Sequence, residues 1–157
     1  MNAILQTILY AALFTLFLFS PLVRPVGAAG EFEANYDVGY AVSPAGKTIV
    51  TQRVYLVNKL SNFYPQSYSL LIDSDKISNI IAYDDGGVIT PVLSVKDGKT
   101  TIGLHFNSKA VGLGKSLGFT LRYEHAGVAS QNGSIWEIYV PGIVNDPDIG
   151  DYHVTLN

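Results

Sequence analysis

Cysteine is absent from all 157 residues. That removes thiol nucleophiles, thiolate metal ligands and disulfide staples together. The fold must be held by a packed core, and a chain of this size can bury roughly two thirds of its unfolded surface. Positive charge is also scarce: ten Lys and Arg stand against thirteen Asp and Glu, a formal net charge of −3. Without a basic patch, nucleic acid and anionic lipid are poor partners. His105, His125 and His153 are far apart in sequence, no His-x-x-x-His pair occurs, and a zinc site is not indicated. No Gly-x-Ser-x-Gly elbow is present, so a serine hydrolase of that architecture is not indicated either. Past residue 29 no stretch carries the 3.6-residue apolar stripe of an amphipathic helix.

What the chain does have, at its start, is a long apolar run. Residues 4–19 are interrupted only by Gln6, Thr7 and Thr15, and Pro21 closes the run. Val26 and Ala28 fit the −3 and −1 positions of a cleavage before Ala29, with Gly27 and Ala29 serving one residue later. The reading is a secretory signal peptide over 1–28. An uncleaved membrane anchor is the alternative, because Met1-Asn2 carries no Lys or Arg. At about 1.5 Å per residue, residues 3–19 reach roughly 25 Å, short of a ~30 Å hydrocarbon core. Both readings place residues 30–157 outside the cytoplasm, secreted or tethered at the cell surface, with membrane contact only through this segment. A cysteine-free exported domain fits a bacterial or archaeal surface protein.

The remainder reads as strands. Phe32, Ala34, Tyr36, Val38, Tyr40 and Val42 alternate with Glu31, Glu33, Asn35 and Asp37, the period of a half-buried strand. The turn residues 43–47 and a β-branched return over 48–58, with Val50, Val54 and Leu56 on one face, make a hairpin. Further alternating runs fall at 68–72, 77–83, 88–96, 102–106, 117–123, 135–140 and 152–156, separated by Gly, Asp and Asn. Pro91 demotes its segment to an edge or a bulge. The expected fold is all-β, an antiparallel immunoglobulin-like β-sandwich of about seven to nine strands behind the N-terminal signal or anchor helix.

Three groups of residues invite a functional reading. The acidic loop 145–151 offers Asp146, Asp148 and Asp151 as calcium ligands, since hard cations take clustered oxygens; its spacing departs from the EF-hand, and a solvated inter-strand loop is the preferred reading. Glu124 and Glu137, the strand-end glutamates beyond the first strand, are the candidate pair for a small exported hydrolase. Ten tyrosines, among them Tyr36, Tyr40, Tyr55, Tyr64, Tyr68 and Tyr139, could form a stacking surface, although tyrosine is also an ordinary strand residue. Asn132-Gly133-Ser134 matches a glycosylation sequon, but Asn-Gly is first a turn signal.

The segments YAVSPAGKTIVTQRVYLVNKLSNFYPQSYSLLI, ISNIIAYDDGGVITP and NGSIWEIYVPGI, with the final YHVTLN, resemble the N-terminal β-sandwich domain of exported bacterial transglutaminase-like proteins. In that family the domain precedes a papain-like Cys-His-Asp unit, often with a membrane anchor. The resemblance implies an accessory domain, and without cysteine no catalytic residue carries over. Taken with the strand-like run at 152–156, it reads as the front portion of a longer surface protein. The expectation is a non-catalytic structural or interaction module with no required cofactor. Its partner would be a protein or cell-surface polymer, engaged by sheet faces, loops or strand addition at an open edge, and not a small molecule in a deep pocket. A calcium- or glycan-binding adhesion module is the alternative, and the small hydrolase a third.

Overall fold

The computed structural model describes residues 30–140 and 148–157. The leader, and Asp146 of the acidic loop, lie outside the described residues. Among those described, eleven strands run in the order β1 (Phe32–Val42), β2 (Thr48–Asn58), β3 (Ser67–Ile72), β4 (Ile77–Asp84), β5 (Gly87–Ile89), β6 (Val92–Lys96), β7 (Lys99–His105), β8 (Ser116–His125), β9 (Ala129–Asn132), β10 (Ile135–Ile138) and β11 (Ile149–Leu156). They form a six-stranded sheet β11-β1-β2-β8-β4-β5, a three-stranded sheet β3-β7-β6, and the separate ribbon β10-β9. The protein is an all-β sandwich.

The β1–β2 hairpin forms for the reasons its sequence gives. Gly46 takes φ +80° and donates its N–H to the Ser43 carbonyl at 2.9 Å, while the Ser43 hydroxyl accepts the Lys47 N–H at 3.1 Å. From there the register pairs Val42 with Thr48, Tyr40 with Val50 and Tyr36 with Val54. Because directly paired residues share a face, all the apolar alternates of β1 turn to the interior. Val38, Tyr40, Val50, Val54 and Leu56 are buried, as are Leu117, Phe119, Leu121 and Tyr123 of β8. Ile102 and Leu104 of β7 close the core from the small sheet. Tyr68 and Phe106 bring their rings against Phe119 at 5.2 and 5.1 Å between centroids. These tilted contacts join the two layers.

Three features differ from the strands read in the sequence. The run 88–96 is two strands: β5 edges the large sheet, β6 edges the small one, and the chain changes layers at Pro91. Proline has no N–H to give a continuous ladder. β9 was not read as a strand, since Ser130, Gln131 and Asn132 are polar; its only ladder is to β10 across a turn where Gly133 takes φ +64°. The sheets are antiparallel except at one pair, where β11 runs parallel to β1 with Tyr36 opposite Tyr152 and Tyr40 opposite Leu156. Gly150 leaves room there for the Asn35 and Glu33 side chains. A Cβ there would lie 2.4 Å from Asn35 Oδ1 and 2.6 Å from Glu33 Oε1.

Candidate functional site between the sheets

One face of β2 reads Thr48, Val50, Gln52, Val54, Leu56, Asn58. Gln52 is the polar residue at its middle, and burying an amide among hydrocarbon is unfavourable without a partner. It stands beside a cavity of about 600 Å³ between the sheets. That volume falls within the range of ligand pockets, about 300–1,000 Å³. Tyr36 and Tyr40 from β1, Tyr123 from β8 and Tyr152 from β11 line it, with Val38, Val50, Leu70, Ile72 and Val128 as apolar wall.

The phenols form a connected set. Gln52 Nε2 donates to the Tyr123 hydroxyl at 3.1 Å. The Tyr36 hydroxyl is bonded to that of Tyr68, and the Tyr36 ring lies 5.9 Å from that of Tyr152. Tyr40 and Tyr152 stand close enough for each to perturb the other's ionisation. Burial, then the neighbouring Tyr152, pushes the Tyr40 phenol up to about 12. Tyr123 is raised further, first by burial and then by Tyr40; burial raises Tyr152 as well. At neutral pH Tyr40, Tyr123 and Tyr152 are therefore neutral hydroxyls, able to donate or accept a hydrogen bond.

Among the described residues, charge is confined to the mouth. The charged lining residues Asp73, Asp75 and Lys76 are all exposed, and Asp73 is bridged to Lys99 at 2.9 Å. His125 is half-buried at the same rim. Burial and the adjacent Lys76 charge lower its pKa, so the imidazole is uncharged at neutral pH. Its Nδ1 accepts the Gly127 N–H at 2.9 Å, which leaves the proton on Nε2.

The residues singled out in the sequence are dispersed. Asp148 is half-buried, accepts the Gly30 N–H at 3.1 Å and pairs with Lys59 at 3.1 Å. Asp151 is exposed on β11, with its backbone N–H given to Asn35 Oδ1 at 2.8 Å. No cluster of three His, Asp or Glu arranged for a metal exists among the described residues. Glu124 lies on the outer face of β8, 2.7 Å from Lys47. The hydrogen bond from Lys47 holds its carboxyl below the usual range, the opposite of what a proton donor needs. Glu137 is exposed on β10, in the separate ribbon. His105 and His153 are exposed. The six tyrosines do not share one surface: Tyr36, Tyr40 and Tyr68 face between the sheets, whereas Tyr55 lies outside against Gly118. Tyr64 stands below the Lys109 ammonium at 5.4 Å.

The groups that define the cavity include Gln52, Tyr123 and Tyr152, none of which stood out in the sequence. The available signal was a lone amide in the apolar register of β2. No protein-family model and no curated protein sequence matches the chain.

Proposed function

We propose that this chain is a non-catalytic binding module of an exported cell-surface protein, with the space between its sheets as the seat for a ligand. The observation that carries this reading is the tyrosine-lined cavity with an amide at its wall. Its inward groups can stack, fill volume and exchange hydrogen bonds, and burial holds the phenols of Tyr40, Tyr123 and Tyr152 protonated, so none of these three is a ready nucleophile at neutral pH. The apolar leader supports export. The resemblance to the front domain of transglutaminase-like proteins supports an accessory role for the domain, in series with other parts of a longer protein.

Thermal unfolding of the full chain against panels of saccharides, peptides and amphiphiles tests the seat. A ligand held by the folded state alone raises the midpoint, by about 2.7 kcal/mol of added stability at a hundredfold excess over Kd. If no class moves the midpoint at millimolar concentration, the cavity is packing space and the reading fails. Export is tested separately by the mass of the protein recovered outside an expressing bacterium. A signal peptide gives an N-terminus at Ala29 or Gly30; an anchor leaves the apolar run attached.

A further inference from the structure

The chemistry of the wall narrows the ligand, granted that the cavity is a ligand seat. Gln52 uses one amide hydrogen on Tyr123, and its carbonyl oxygen has no partner among the described residues. Around it, among the described residues, the interior holds ring surfaces and phenol hydroxyls but no charge, while Asp73, Asp75 and Lys76 stand at the exposed mouth. An anion entering would exchange its hydration for phenol dipoles alone, and a cation would find no carboxylate among the described residues within. An alkyl chain would fill the volume but leave the Gln52 carbonyl facing hydrocarbon with its desolvation uncompensated. A neutral ring bearing hydroxyls meets both demands. Its C–H face lies on tyrosine rings, one hydroxyl donates to Gln52 Oε1, and others exchange hydrogen bonds with Tyr40, Tyr123 and Tyr152.

We infer that the cavity takes a neutral saccharide, either a free oligosaccharide or the terminus of a polysaccharide. The volume of about 600 Å³ is that of a pocket for a drug-sized molecule, which suits a short saccharide or a chain end and not the middle of a polymer.

Calorimetric titration of the full chain with neutral oligosaccharides, with uronate oligomers and with a neutral fatty alcohol tests this class. Co-sedimentation with insoluble neutral polysaccharide, run beside it, separates a polymer end from a free sugar. The expected result is binding of the neutral saccharide alone, weakened at least about tenfold, or about 1.4 kcal/mol, in Gln52→Leu. A cooperative thermal transition in that variant shows that the sandwich is intact, and Tyr152→Phe, with its ring retained, gives a smaller loss. Saccharide binding that Gln52→Leu leaves unchanged lies elsewhere and overturns the assignment. Binding of the alcohol or the uronate in place of the neutral sugar overturns the ligand class but keeps the seat. Silence of all three ligands overturns the saccharide assignment and leaves the seat to be decided by the thermal panel, which also contains peptides.

Discussion

Asp84, at the end of β4, accepts the backbone N–H of Asn107 on Oδ2 at 2.7 Å. The same carboxylate takes the N–H groups of Ser108 at 2.9 Å and Gly86 at 2.8 Å. Asp84 belongs to the large sheet, and Asn107 follows β7 of the small one, so a single buried side chain ties the two layers at one end of the sandwich. Burial by itself would raise this carboxyl, but the amides of Ser108, Asn107 and Gly86 outweigh it and hold the group below its ordinary value of 3.8.

Asp84→Ala should therefore lower stability at pH 7 by about 2–3 kcal/mol, the range for a buried charged acceptor whose donors are left unpaired. The sign of the pH dependence follows from the depressed folded pKa. The contribution is fully present above the unfolded value near 3.8 and is lost as pH falls through the folded value. Urea unfolding at pH 7 and pH 3 should show the gap between wild type and variant closing at the acid end. A gap that stays constant would mean that the carboxylate charge plays no part.

The tyrosine set makes an alkaline prediction. Tyr40 and Tyr123 have raised pKa values in the folded state, so folding favours their protonated forms. Their contribution is complete below about pH 10 and declines as pH rises towards 12. Absorbance titration of the phenolates should show Tyr40 and Tyr123 ionising only with loss of the fold. Simultaneous ionisation of all ten tyrosines near pH 10 with the sandwich intact would contradict this.

Core and edge should respond in opposite ways to substitution. Leu121→Ala and Leu104→Ala remove fully buried side chains and should each cost about 2–5 kcal/mol in chemical denaturation. Val95→Lys, at a position 63% exposed on the open edge strand β6, should change stability by no more than about 0.5 kcal/mol. It should also reduce self-association in sedimentation experiments, because a lysine blunts an unpaired edge.

The ion pairs should matter little. Lys59 and Asp148 are each roughly a third exposed, and Arg53 and Asp37 about half. A double-mutant cycle on either pair should return less than about 1 kcal/mol, falling further with added salt. A larger coupling at Lys59–Asp148 would show that this contact anchors β11.

Much of the fold was readable in order. The alternation in β1, the turn at Ser43 to Lys47 and the buried face of β8 follow from local patterns, which depend on side-chain period and turn chemistry alone. The change of layer at Pro91 was half visible: proline marked an interruption but not its destination. The parallel seat of β11 was not visible, because which strand lies beside β1 depends on contacts more than a hundred residues apart in the chain, such as Asp151 with Asn35. The candidate site was least legible. Asp148, read as a metal ligand, is engaged by Lys59 and Gly30, and the groups that converge on the cavity come from β1, β2, β8 and β11.

By itself the sequence determined that this is a cysteine-free, all-β chain whose stability rests on packed alternating strands, since composition and period 2 leave no other core. Only the tertiary structure decided which inward residues meet one another and which face a space. An amide among valines is a blemish in one strand until Tyr123 of a neighbouring strand lies within hydrogen-bonding distance of it, and that distance is set by register and layer packing, which no local pattern encodes.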